Sequence, residues 1–166
     1  ISLEAAGDVR VIDTISKARF ADDADAVTTY LRRLYREGYS STKSLQAASH
    51  SQLPGTIMMA LAGMAVHDME PVELRYFDIQ PDGTLRYLTN DELTERAAEY
   101  AASKRGQAPP KVVTHYWYEQ DSAFANVEIK FRPRSAPADA PLRTYRHIVA
   151  NLDDKHMSAD DRVLRH

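Results

Sequence analysis

Strict alternation of side-chain type over residues 125–132 constrains the fold of this chain more than any other feature. Every second position is apolar: Ala125, Val127, Ile129 and Phe131. The positions between them are polar or charged: Asn126, Glu128, Lys130 and Arg132. A period of two is typical of a strand that packs one face on a core and turns the other to water. The pattern therefore predicts a strand whose polar face, including Glu128, is open to solvent.

Two neighbouring segments, 111–119 and 142–151, are predicted to extend this strand into an antiparallel sheet. Segment 111–119 carries aromatic and β-branched residues on both faces, which suits a pleated, half-buried surface. Residues 120–122 are polar and of hairpin length, so 111–119 is expected to pair with 125–132. Residues 134–141 form a loop with proline and alanine before the last strand.

An earlier hairpin is predicted from residues 72–79 and 84–88. Between them lies the tetrapeptide Gln80–Gly83, in which Pro81 presets the turn and Gly83 takes the positive φ that closes it. Thr89 and Glu92 then have the spacing of a capping box, which predicts a helix over 91–103.

Helical periodicity predicts further helices in the first half of the chain. The helix 22–37 has an apolar stripe and is expected to be capped by Asp22 or Asp23. A short helix is expected over 41–49. Segment 57–66 is apolar nearly all round, which indicates a central buried helix capped by Thr56.

These elements predict an α+β fold with a mainly antiparallel sheet of about five strands and helices packed on one face. A length of 166 residues suits one domain over 1–166. The expected strands are 72–79, 84–88, 111–119, 125–132 and 142–151.

Composition excludes several classes of function. The net charge of -3 gives no basic footprint for nucleic acid. The absence of cysteine excludes disulfides and thiolate metal sites. No apolar run approaches the roughly 20 residues of a membrane-spanning helix.

The most metal-like grouping is the acidic segment 153–161, which also contains His156. Hard cations need several oxygen ligands, but the spacing here does not match a calcium-binding loop. A polar turn followed by a capped helix explains the same residues. We therefore predict no metal site, no cofactor and no assigned catalytic residue.

Two histidines on predicted strands give the alternative of an enzyme. His115 or His147, with Glu119 or Glu128 beside it, would supply a general base and the group that orients it in a small hydrolase or lyase. The chain has no cysteine and no serine in a glycine-flanked turn to act as nucleophile.

The predicted binding surface lies on the strands 111–119 and 125–132. Tyr116 and Tyr118, bordered by Lys130 and Arg132, are expected to contact a partner, because tyrosine and arginine are enriched at binding hot spots. In the alternative, the basic residues of neighbouring strands pair with Glu73, Glu119 or Glu128 on the solvent face. These basic residues are Lys130, Arg132, Arg143 and Arg146.

Three stretches carry a resemblance that covers about half of the chain: MEPVELRYFDIQPDGTLRYLT, VEIKFRP and RTYRHIVANLDDKHMSADDRVLRH. Their order resembles that in a group of uncharacterised bacterial exported proteins and lipoproteins. The helical segment 90–110 departs from the pattern of that group. The resemblance implies a location in the periplasm or cell envelope and a chain that is a fragment of a longer exported protein. It implies no functional residue.

From these observations we expect a non-catalytic binding or assembly domain of a bacterial cell-envelope protein. Its expected partner is another protein or a second copy of the chain, rather than nucleic acid.

Overall fold

The computed structural model describes residues 5–37, 53–104 and 124–150. The four strands described form one antiparallel sheet in the order β2–β1–β3–β4. The predicted α+β class is confirmed, with four strands in these ranges where about five were expected. The elements are a 3-10 helix (Val9–Asp13), α1 (Lys17–Glu37), α2 (Gly55–Val66), β1 (Met69–Ile79), β2 (Leu85–Tyr87), α3 (Asn90–Lys104), β3 (Val127–Pro133) and β4 (Arg143–His147).

The neighbours of β3 are β1 and β4. The Phe77 amide donates to the Asn126 carbonyl at 3.2 Å, and the Arg134 amide donates to the Asp68 carbonyl at 2.9 Å, so β1 runs antiparallel to β3. The predicted pairing of 111–119 with this strand lies outside the described residues and stays a prediction. Among the described strands, β1 pairs with β3 although it is distant in sequence.

The chain divides into two compact units. The first comprises Ile1–Ala5, Glu73–Ile129 and Thr144–His166, and the second comprises Ala6–Val72 and Lys130–Arg143. Strands β1 and β3 therefore contribute residues to both units.

The first unit has an apolar cluster on one face of the sheet. Phe77 and Tyr87 are opposite each other in the β1–β2 ladder, with their rings 6.2 Å apart in an edge-to-face arrangement. Because alternate residues of a strand share a face, this is the face that also carries Ile79 and Leu85. The buried members of the cluster are Phe77, Ile79, Ile148 and Ala150.

The turn and the cap around this hairpin are confirmed. Gly83 has φ +88° and donates its amide to the Gln80 carbonyl at 2.8 Å. The Glu92 amide donates to Thr89 Oγ1 at 3.2 Å, and the Thr89 amide donates to Glu92 Oε2 at 2.8 Å. These reciprocal bonds satisfy two backbone donors and begin α3 at the predicted position.

In the second unit, α1 and α2 pack together through an apolar seam. Its buried residues are Val27 and Leu31, which contact Tyr30, Met58, Met59 and Ala62. The predicted start of α1 is wrong, because the helix begins at Lys17 and Ser16 Oγ accepts the Arg19 amide at 3.1 Å. Asp23, expected as a cap, is buried in the helix and paired with Arg19.

Helix α2 also differs from its prediction. It begins after Pro54 without a side-chain cap, so the expected Thr56 cap is wrong. Gly55, Ile57 and Met64 are its buried residues, whereas Val66 is 82% exposed. The expectation of a helix buried all round is therefore wrong, although its sequence is apolar. Across the described ranges, no helix combines the length and apolar character needed to cross a membrane.

Candidate functional site

Glu128 is the most deeply buried charged side chain among the described residues, at 1% exposure. It lies on β3 between Val127 and Ile129, which are fully buried on the opposite face. The prediction that Glu128 faces solvent is wrong. Alternation within β3 separates its two faces correctly, but β1 and β2 add Phe77 and Tyr87 to the Glu128 side of the sheet.

Within the described ranges, side chains from three other strands meet the Glu128 carboxylate. Arg146 Nε on β4 donates to Oε2 at 2.6 Å. The Tyr87 hydroxyl on β2 donates to Oε1 at 3.0 Å, and Arg75 Nη2 on β1 lies 3.5 Å from the same oxygen. We call Glu128, Arg75, Tyr87 and Arg146 the Glu128 cluster.

The hydrogen bonds from Arg146, Tyr87 and Arg75 offset the free-energy cost of burying the Glu128 carboxylate. An ionised carboxylate removed from water is costly unless it is paired and hydrogen-bonded. Here both oxygens accept hydrogen bonds, and each comes within reach of a guanidinium. The cluster therefore fixes β2, β1, β3 and β4 to one another across the whole width of the sheet.

Arg75 is held less tightly than Arg146. Its guanidinium carbon lies 3.8 Å from the centroid of the Tyr87 ring, a cation–π contact. Its Nε lies 3.4 Å from Glu73 Oε1 but makes no hydrogen bond to any described residue. The side chains of Arg75 and Arg146 are 40% and 35% exposed. The cluster therefore has a buried carboxylate at its centre and two partly exposed guanidiniums on its outer side.

A second charged network lies on the opposite face of β1. Arg96 on α3 binds both oxygens of Asp78, at 2.9 and 2.8 Å, and Arg86 binds Oδ2 at 3.0 Å. Burial raises the pKa of Asp78, but the hydrogen bonds and charges of Arg96 and Arg86 outweigh burial and hold that pKa below 3.8. These contacts attach α3 to the hairpin, and every charge in the network is matched locally.

Of the four predicted binding residues, the structure describes Lys130 and Arg132. Tyr116 and Tyr118 lie outside the described residues, so their position beside Lys130 and Arg132 stays a prediction. Lys130 is half-buried on β3. Arg132 is only 16% exposed: its Nη2 lies 3.3 Å from Glu70 Oε1 and its Nη1 donates to the Ala138 carbonyl. Arg132 therefore ties β1 and the 134–140 loop to β3.

The geometry of His147 does not support the enzyme alternative. His147 is 5% exposed. It follows Arg146 on β4, and since successive strand residues point to opposite faces, its ring points away from the Glu128 side. His115, Glu119 and the acidic segment 153–161 lie outside the described residues. Within the described ranges, no group of three or more His, Asp or Glu side chains could hold a metal ion.

Sequence reasoning missed Arg75 and Tyr87 as partners of Glu128. The hairpin register gave a partial signal, because a turn at residues 80–83 places Phe77 opposite Tyr87 and Arg75 diagonal to it. The approach of β1 to β3 has no comparable local signal, so the assembled cluster was not predictable. Its function must be inferred from its geometry. No protein-family model, curated protein or solved structure matches this chain.

Proposed function

We propose that this chain is a non-catalytic binding or assembly domain, and that it binds another protein or a second copy of itself. One observation carries the proposal: the Glu128 cluster presents two half-exposed guanidiniums, those of Arg75 and Arg146, and both are paired with the buried Glu128 carboxylate. Arginine and tyrosine are enriched at protein interfaces, where rigid and partly desolvated anchors supply most of the binding free energy.

Binding suits this cluster better than acid–base catalysis. A general base must come within hydrogen-bond reach of a substrate proton. Glu128 is buried, and both of its oxygens already accept hydrogen bonds from neighbouring strands. The exposed groups of the cluster are guanidiniums, which do not lose a proton in proteins and act by charge and hydrogen bonding.

Preorganisation favours the same interpretation. An arginine on an open surface loses rotamer freedom when it binds, which lowers affinity. Arg75 is already restrained by the Tyr87 ring and Arg146 by Glu128. Less conformational entropy is then lost on association.

The cellular location that we propose is the bacterial periplasm or cell envelope. Its support is the resemblance of three stretches of the sequence to exported proteins. Fractionation of the native host, with an antibody against the chain, tests this part separately. Recovery of the chain in the cytoplasmic fraction would refute the proposed envelope location and would not affect the proposed binding role.

The binding role is tested by association. The purified chain is examined by sedimentation equilibrium over a wide concentration range and is used as bait in envelope extracts. Stoichiometric self-association, or saturable binding to one purified partner, is the expected result. A chain that stays monomeric and retains no partner at high concentration would refute the role, as would turnover of a substrate that is lost in His147→Ala.

A further inference from the structure

We infer that Arg75 is the receptor for a carboxylate side chain of the protein partner. This inference rests on the proposed function, because it names the chemical group that the binding domain recognises. It is carried by the way in which Arg75 is held: the guanidinium is positioned, but its hydrogen-bonding capacity is largely unused among the described residues.

Arg75 lies farther from its carboxylate partners than Arg146 does. Charge-assisted bonds between guanidinium and carboxylate measure about 2.7–2.9 Å. Arg146 reaches Glu128 at 2.6 Å, whereas Arg75 lies 3.5 Å from Glu128 and 3.4 Å from Glu73. Glu128 is engaged at shorter distances by Arg146 and Tyr87, so Arg75 is the less tightly held cation of the cluster.

The Tyr87 ring holds Arg75 in place. Its guanidinium lies over the Tyr87 ring at 3.8 Å, and the Tyr87 hydroxyl is in turn held by Glu128 at 3.0 Å. Stacking restrains the guanidinium without using its N–H groups. The donor fork is thereby oriented in advance, which is the condition for bidentate recognition of a planar anion.

Glu73 is the second carboxylate beside Arg75. Its Oε1 lies 3.4 Å from Arg75 Nε, which is inaccessible to solvent, yet it accepts no hydrogen bond from that atom. Glu73 is itself 46% exposed, so its carboxylate would remain hydrated if it were displaced. A partner carboxylate with better geometry would displace Glu73 from this position and gain a bond that Glu73 does not make.

The carboxylates of Glu128 and Glu73 disfavour a doubly charged phosphate more than a singly charged carboxylate. Glu128 and Glu73 place two negative charges close to Arg75, and the whole chain carries a net charge of -3. A dianionic phosphate would be repelled more strongly by these groups than a singly charged carboxylate. The partner segment that fits is therefore an acidic one, with Asp or Glu at its centre.

The test is a titration of the ¹⁵N-labelled chain with a short oligoglutamate peptide, followed by NMR at the Arg75 Nε–H resonance. The resonance is assigned by its loss in Arg75→Lys. Binding should move this resonance to saturation and leave that of Arg86 in place, because Arg86 is already held by Asp78 and Glu92. Arg75→Gln should weaken the affinity at least tenfold, with Arg75→Lys intermediate because it keeps the charge but loses the fork.

Glu73 and Arg143 supply the matched controls. Glu73→Ala removes the competing carboxylate and should tighten peptide binding about threefold to fivefold, and Glu73→Gln should do so less. If Arg75 is the receptor, this gain should vanish when Glu73→Ala is combined with Arg75→Gln, whereas a general charge effect would persist in the double variant. Arg143→Gln removes one positive charge from an exposed position of β4 and should leave the affinity unchanged.

Three results would overturn the inference: equal affinity of wild type and Arg75→Gln, no gain in Glu73→Ala, or a response to inorganic phosphate as strong as that to the peptide at matched ionic strength. Circular dichroism of each variant confirms that it is folded. If the chain associates with a partner but ignores the peptide, the carboxylate inference fails and the proposed function stands. If it does neither, both fail.

Discussion

Arg146 Nε on the last described strand lies 2.6 Å from Oε2 of Glu128, a carboxylate that is almost completely removed from solvent. A pair of this kind contributes little net stability when it forms, because desolvation offsets much of the attraction. Removal of either Arg146 or Glu128 has a larger effect on stability, because it leaves the other charge in place without its partner.

Glu128→Gln is therefore expected to destabilise the chain by about 2–3 kcal/mol. The amide cannot accept from both guanidiniums and the Tyr87 hydroxyl as the carboxylate does. The loss stays below that of a fully buried pair, because Arg75 and Arg146 are partly exposed and can be rehydrated. Urea unfolding followed by circular dichroism measures the free energy of unfolding. Glu73→Gln, an exposed neutralisation on the adjacent strand, should change it by less than about 0.5 kcal/mol. Equal midpoints for the two variants would contradict the structural role of Glu128.

The burial of Glu128 also shows how far the sequence could predict this fold. The 80–83 turn, the Thr89 cap and the alternation in β3 are local signals, and each gave the correct element. The cap at Ser16 was missed because two aspartates that follow it are equally good capping residues by type. The pairing of β1 with β3 joins residues about fifty positions apart, and no local pattern reports it. Since the environment of Glu128 is created by that pairing, the candidate site could not be assembled from the sequence.

The backbone near Gly7 gives a second prediction. Gly7 has φ +89°, and a Cβ atom built there would lie 2.2 Å from Pro54 Cβ. Gly7→Ala would combine a left-handed backbone with a clash against a rigid ring, so it is expected to destabilise the chain by about 2–4 kcal/mol.

Gly63 is the matched control for this substitution. It lies within α2, and a Cβ there would meet nothing within 4 Å. Gly63→Ala should stabilise the chain by up to about 1 kcal/mol, because alanine loses less backbone entropy in a helix. Thermal unfolding of both variants decides the matter. A Gly7→Ala variant that unfolds at the wild-type temperature would show that the close approach to Pro54 is not maintained.

Glu92 predicts a defined dependence of stability on pH. Its pKa is lowered from 4.5 to about 2, first by the hydrogen bond from the Thr89 amide and then by the bond from Arg86. A carboxyl with a depressed pKa in the folded state stabilises the fold above its unfolded pKa, and that stabilisation is lost as the pH falls. The contribution of Glu92 should be complete above about pH 4.5 and should disappear between pH 4.5 and pH 2.

Glu92→Gln should therefore flatten the pH dependence of the unfolding free energy in this window. Glu95→Gln makes the same charge change at an exposed position of α3 and should leave the slope closer to that of wild type. Urea titrations at a series of pH values supply the comparison. Identical slopes for Glu92→Gln and wild type would mean that the capping box does not persist in solution.

The tyrosines of segment 111–119 give the last prediction, because the sequence predicts a partner-contact surface at Tyr116 and Tyr118 and not at Arg75. If Tyr116 and Tyr118 form the partner-contact surface, replacing both with serine should leave the fold intact and abolish partner binding, since the aromatic area that anchors the contact is gone. The titration of Arg75 with oligoglutamate should then be unchanged in the double variant. Affinity for the partner is measured by sedimentation or calorimetry, with circular dichroism as the check on folding. A double variant that fails to fold would place these tyrosines in the core and leave Arg75 as the remaining candidate anchor.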